Sequence, residues 1–301
     1  HNNELIANGE PGNLVNVLYP EKGESWGVDD GTGYIAEDGQ KYTFVAYYNH
    51  EGLWHGGIIV KALNALRDAY LYTGDVAYAN KGVILLDRIA DVYPDLDLDI
   101  WNYQDGYLNS NGHSNRGKAI GSIWETSLAD AFITAYDAFY PALADNSDAP
   151  CTEALAFLAT KNPAKADPAR VRVNMEDGIL REILPAVKRG EIRGNSGMHQ
   201  ATLANAAVVL DSMPETEEWL DFDFQAGTAK AQEVTGGNIS VELIDRVDRD
   251  GHGNEGAPGY NSLWLGNYLE VADALDGYKL EGSEKEYDLY QNVKFRKMFS
   301  S

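Results

Sequence analysis

The sequence predicts an all-α fold: antiparallel helical hairpins forming an incomplete (α/α) toroid, preceded by an irregular N-terminal segment. Three observations predict it. From Ile58 onward apolar residues recur at helical spacing, as in Ile59, Ala62, Leu63, Leu66, Ala69 and Tyr70. Strands and helices do not alternate as a parallel sheet requires. The connections are alternately short and long, which suits hairpins whose inner helices line a cavity while the long loops build one rim.

The elements follow in order. Residues 1 to about 45 are rich in Gly, Asp and Asn without sustained periodicity and read as irregular with short strands. The first helix runs from Ile58 to Gly74, which stops it. Asp75 is placed to cap the second, which ends near Tyr93, before Pro94. A loop of Asp, Asn and Gly extends from Asp95 to about Lys118, and a strongly apolar helix spans Ile123 to Tyr140, ended by Pro141. Helices follow at about 151–160, 174–188 and 197–212, with Pro150, Pro185 and Pro214 near their ends, then a polar helix over 215–233. A Gly-rich loop from Asp248 to Gly259 leads into a last helix carrying Leu263, Trp264, Tyr268, Val271 and Leu275. Residues 1–301 read as a single domain.

Composition narrows the function classes. With 301 residues, 44% hydrophobic and 24% charged, the chain is neither disordered nor collagen-like. Twenty-four Lys and Arg face 47 Asp and Glu, a formal charge of -23, so nucleic acid and anionic membrane are not expected partners. No apolar run approaches the roughly 20 residues that span a bilayer. The single cysteine, Cys151, reads as a packing residue. The chain opens at His1 without a signal peptide and ends on the basic, aromatic run Lys294-Phe295-Arg296-Lys297-Met298-Phe299, which reads as a piece of a longer protein.

Two stretches carry candidate chemistry. In Arg193-Gly194-Asn195-Ser196-Gly197-Met198-His199-Gln200, Asn195 is placed to cap a helix with His199 in its first turn, where the helix dipole favours a neutral imidazole suited to a general base. A capping Asn followed by a hydrogen-bonded core His fits the same pattern. In Asp250-Gly251-His252-Gly253-Asn254-Glu255-Gly256-Ala257-Pro258-Gly259-Tyr260, glycines bend the backbone and Tyr260 enters a helix from the cavity rim. That Tyr suits an acid, or a base if cations such as Arg246 or Arg249 lower its pKa; it also fits a half-buried helix-start residue.

Together with Ala69-Tyr70-Leu71-Tyr72-Thr73-Gly74-Asp75 and the helix from Trp124-Glu125 to Ala135-Tyr136-Asp137, these stretches resemble the heparinase II/III-like polysaccharide lyases, a group that includes alginate lyases. The resemblance covers most of the chain from about Leu53. It implies β-elimination of a uronic-acid-containing polysaccharide, an acidic substrate, no redox cofactor, and a secreted or periplasmic setting. By similarity Tyr260 is the acid, and also the base for one stereochemistry. His199 is the base for the other or helps neutralise the carboxylate, with Asn195 and Gln200 as donors to it. The chain departs from the family at Met198, where several relatives have Asn, and at Thr202, where some have Glu. The C-terminal β-sandwich of the relatives has no match in this chain.

A polyanionic substrate needs a local positive patch, and the candidates are Arg116, Lys118, Arg193, Arg246 and Arg249. Tyr47, Tyr48, Trp54, Trp101, Tyr103 and Trp124 are candidates to stack on sugar rings, although Trp124, on an apolar helix, also reads as core. Asn49 and His55 read as substrate contacts rather than metal ligands, because the His spacing fits no strong zinc signature. The alternating Asp95, Asp97 and Asp99, and Asp248 with Asp250, read as solvated loop carboxylates, since neither run completes a calcium loop. Two rival readings stand beside the lyase: a glycoside hydrolase using a carboxylate pair such as Glu125 and Glu255, and a noncatalytic glycan-binding toroid.

Overall fold

The computed structural model describes residues 53–54, 57–96, 116–230, 233–253 and 256–300, with two short strands before them, β1 (Tyr34–Ile35) and β2 (Lys41–Tyr42), paired antiparallel. The described residues are mostly helical and contain almost no strand.

The first hairpin is α1 (Ile58–Thr73) and α2 (Val76–Val92). Gly74 adopts the left-handed conformation that closes α1, and the Asp75 carboxylate accepts the Ala77 N–H at 2.9 Å to open α2, so two residues suffice to reverse the chain. Next comes α3 (Ser122–Leu143). It passes through Pro141 rather than stopping there, because a proline in a last turn removes only one intrahelical bond while Ala142 and Leu143 gain burial.

The next helix is α4 (Thr152–Lys161). It is followed by α5 (Pro168–Met175), which continues through a π-turn at Glu176–Leu180 into α6 (Arg181–Lys188). This run starts earlier than the sequence pattern suggests, since Asp167 caps it by accepting the Ala169 N–H and Pro168 takes the first helical position. Pro185 lies inside α6.

Then come α7 (Met198–Leu210) and α8 (Glu215–Phe224). The polar helix expected over 215–233 ends at Phe224 and gives way to a small antiparallel hairpin, β3 (Ala229–Lys230) and β4 (Glu233–Val234). There the Gly227 and Gly236 backbones approach so closely that a Cβ on Gly227 would lie 2.3 Å from the Gly236 nitrogen, a contact no helix provides. The chain finishes with α9 (Ile239–Asp245), α10 (Pro258–Leu275) and α11 (Val293–Met298).

The core gathers around α3 and α7: α3 packs on α1, α2 and α7, while α7 packs on α3, α6, α8 and α10. A helix surrounded in this way needs apolar or small residues on every side. Accordingly Ala201, Leu203, Ala204, Ala206 and Ala207 of α7 are all buried. Phe132 and Phe139 of α3 are fully enclosed, each contributing about 1.5–3 kcal/mol by burial. Cys151 is also buried, its thiol pushed up to about 11 by burial, as a packing residue should be. Among the described residues no helix is long and apolar enough to cross a membrane.

Candidate functional site

The turn before α7 packs against the middle of α10, the helix whose first turn carries Tyr260. Gly197 turns the chain into α7 with a φ of 88°, and a Cβ there would lie 2.5 Å from the Asn267 Cβ, so the turn sits hard against α10. At the other end of α7 the Tyr278 hydroxyl, just past α10, donates to Asp211 at 2.5 Å. The two helices therefore run side by side in the same direction. Tyr260 is seven residues before Asn267, on the same face and, at 1.5 Å per residue, about 10 Å further along the axis. The first two turns of α10 thus overhang the N-terminus of α7.

The turn before α7 is pinned from two sides. Asn267 Nδ2 donates to the Ser196 carbonyl at 2.9 Å, and Arg246 Nη1 donates to the Ser196 hydroxyl at 3.2 Å. Arg246 also pairs with Glu242 at 3.5 Å and lies 5.7 Å over the Trp264 ring. Glu242 accepts the Tyr268 hydroxyl at 2.6 Å, which closes a network joining α9, α10 and the turn.

His199 is 6% exposed, and its Nδ1 is buried with no hydrogen-bond partner. Burial first, and then the charge of Arg193, push its pKa down to about 4, so the imidazole is neutral at ordinary pH. Tyr260 is 49% exposed, and its hydroxyl has no hydrogen-bond partner among the described residues. Asn195 does not cap α7. Gly197 holds the capping position, and Asn195 contributes through its backbone: its carbonyl accepts the Met198 N–H at 3.0 Å and its N–H donates to the Met198 sulfur at 3.3 Å. Gln200 is enclosed and donates through Nε2 to the Gly237 carbonyl at 2.8 Å; it braces α7 against the 234–238 segment.

Several of the candidate substrate contacts are buried in the fold. Glu125 is fully enclosed: Oε2 accepts the N–H groups of Lys118, Ala119 and Ile120 at 3.2, 2.9 and 3.0 Å, and Oε1 accepts the Tyr93 hydroxyl at 3.1 Å. Burial raises its pKa, opposed by those donors. It anchors a turn and faces no substrate. Lys118 is likewise buried, bonded to Glu182 at 2.9 Å and to the Pro94 carbonyl at 3.2 Å. Trp54 packs edge-on against Phe132 in the core, so no face is open to a sugar. Trp124, by contrast, is 38% exposed in the first turn of α3. Arg249 is exposed, and the Asp248 loop closes on itself through Asp248 N–H to the His252 carbonyl and His252 N–H to Asp250. Arg116 bonds the Arg189 carbonyl at 3.2 Å, in a cleft beyond the Gly237 segment. Asn49, His55, Tyr47, Tyr48, Asp97, Asp99, Trp101, Tyr103 and Glu255 lie outside the described residues.

Two buried carboxyls near the site escaped the sequence reading. Asp130 of α3 accepts the Thr202 hydroxyl at 3.1 Å, and burial, together with the neighbouring charge of Glu270, pushes it up to about 7 against the Thr202 and Asn205 hydrogen bonds. Asp223 of α8 is completely buried with neither carboxylate oxygen bonded, and burial raises its pKa well above the ordinary range. An Asp set between Ala129 and Ala131 on a strongly apolar helix was the available signal for the first. Among the described residues no cluster of three or more His, Cys, Asp or Glu forms a metal-holding group. No protein-family model, curated protein or solved structure matches the chain.

Proposed function

We propose that this chain is a polysaccharide lyase domain of the heparinase II/III-like type, an incomplete α/α toroid that cleaves a uronic-acid-containing polysaccharide by β-elimination. The observation that carries the reading is the overhang of α10 above the N-terminus of α7, with an exposed Tyr260 on one element and a neutral His199 on the other. Parallel packing of α7 and α10, sequentially separated by other helices, is what inner helices of a toroid would show. Asp130 supplies a carboxyl beside Thr202, one turn from His199, at the position where some relatives carry Glu.

In this mechanism the imidazole of His199 takes the proton from C5 of the uronate. The electron pair left on C5 forms the C4–C5 double bond, and the C4–O4 bond breaks. Tyr260 gives its hydroxyl proton to O4 as it leaves, and the site recovers by returning the proton from the imidazolium to the phenolate through solvent. Arg193 and Arg246 offset the carboxylate charge that builds as C5 loses its proton. For the opposite C5 configuration Tyr260 serves as both base and acid. Glu125, one of the two carboxylates offered as an example for the hydrolase reading, is enclosed.

The test is a panel of alginate, heparan sulfate, hyaluronan and ulvan, followed by the ultraviolet absorbance of unsaturated uronate. The proposal expects a signal on one member that Tyr260→Phe and His199→Ala each abolish. A signal that survives both substitutions refutes the residue roles, and silence across the panel with new reducing ends refutes the reaction.

A further inference from the structure

Asp223 sits in the last turn of α8 with its side chain fully enclosed and neither carboxylate oxygen bonded. The 234–238 segment lies directly against it. A Cβ on Gly237 would stand 2.3 Å from both the Asp223 carbonyl oxygen and Oδ1, and one on Gly236 would stand 2.8 Å from the Gln225 carbonyl oxygen. Only a glycine pair brings the backbone this close to the end of the helix, so bare main chain rests on the carboxyl.

No cation pairs with Asp223 among the described residues. On α7 the one titratable side chain is His199, which is neutral and whose Nδ1 has no partner. On α9, Arg246 pairs with Glu242, and Glu242 accepts the hydroxyl of Tyr268 on α10, a tyrosine whose ionisation a charge on Asp223 opposes. Lys188 of α6 lies 5.2 Å over the ring of Phe222, a residue that the helix turns about 100° away from Asp223. On α8 itself Asp221 is taken by Lys285, and Glu233 of β4 adds a further negative group. In such surroundings an enclosed carboxyl stays neutral, and an ionised one has to reach water.

The segment is the part that can yield. Val234 and Ile239, both buried, anchor its ends. Between them Gly237 N–H donates to the Phe222 carbonyl at 2.7 Å, Asn238 N–H donates to the Gln225 carbonyl at 2.9 Å, and the Gly237 carbonyl accepts Gln200 Nε2 at 2.8 Å. Lifting two glycines exposes little apolar surface, whereas moving α8 would uncover Trp219, Leu220 and Phe222. We propose that the 234–238 segment is a proton-controlled latch, closed on Asp223 while that carboxyl holds its proton and released when it ionises. Release strips Gln200 of its partner, so the latch ties the footing of α7 beside His199 to pH, whatever reaction that site performs. The closed form keeps a proton that the open form, with its carboxyl at the ordinary 3.8, gives up. The closed form is therefore fully favoured below about 3.8 and loses ground as pH rises toward the folded value, which burial sets well above it.

Amide hydrogen exchange of the full chain, followed by NMR from about pH 5 to about pH 7 and corrected for the intrinsic rate, reads the latch through the Gly237 and Asn238 N–H groups. Their protection is expected to fall about tenfold for each pH unit in the wild type and in Asp130→Asn, which removes the other buried carboxyl titrating in this range. In Asp223→Asn it is expected to be flat. Asp223→Ala, which carries no titrating group, is expected to be flat as well, so a loss of stability in either variant leaves the slope readable. The latch amides should also exchange faster than those of Phe132 and Ile133, enclosed in α3, which open only with the whole fold. A flat wild-type profile, an equal slope in Asp223→Asn, a slope that vanishes in Asp130→Asn, or latch amides exchanging in step with α3 overturns the proposal.

Discussion

Acidification should unfold this protein in a way that depends on His199. In the unfolded chain its imidazole takes a proton near the ordinary 6.5, whereas in the folded protein burial and Arg193 hold that step down to about 4. Between those values the unfolded state binds a proton that the folded state refuses. The His199 contribution is therefore fully present above about pH 6.5 and is lost as pH falls through about 4. At about 1.4 kcal/mol for each pH unit, the interval amounts to on the order of 3 kcal/mol. Urea unfolding of the wild type and His199→Gln at about pH 7 and about pH 4 measures it, because the carboxyl contributions cancel in the difference between the two proteins. The wild type should lose roughly 3 kcal/mol more than the variant on acidification. Parallel losses would mean that the imidazole is solvated or paired in the folded state, and the assignment of a neutral His199 would fall.

Other substitutions probe neighbouring features. Glu125→Ala strands three backbone donors and the Tyr93 hydroxyl and should cost about 3–5 kcal/mol, read from the denaturation midpoint. Gly197→Ala forces a left-handed turn on a side chain that meets Asn267, and a loss of at least about 2 kcal/mol is expected, together with loss of any lyase signal. Asp130→Asn keeps an acceptor for Thr202. The wild-type carboxyl sits near 7 when folded against 3.8 when free, so its contribution is fully present below about 3.8 and is lost as pH rises through about 7; the variant should be the more stable protein above neutrality and show a flatter pH profile between those limits.

The parts of the fold legible in the sequence are those specified locally. Gly74 and Asp75 fixed the first hairpin because a left-handed stop and a side-chain cap act within two residues. The α8 terminus and the β3–β4 hairpin were not legible, since Gly227 and Gly236 are nine positions apart and their contact depends on tertiary structure. The same division holds at the site. The places of His199 and Tyr260 in the first turns of α7 and α10 were visible through their flanking residues, but nothing local distinguishes Glu125, enclosed by three N–H groups from 118–120, from a solvent-facing carboxylate. Asn195 has the composition of a cap and is displaced by a glycine two residues later.

The proposed elimination is tested most directly by the ratio of unsaturated ends to new reducing ends after the wild-type protein is incubated with each polysaccharide of the panel. Elimination creates one unsaturated non-reducing end for every reducing end, so the account predicts equal numbers throughout the reaction. Reducing ends accumulating without the ultraviolet chromophore would contradict it and favour hydrolysis instead.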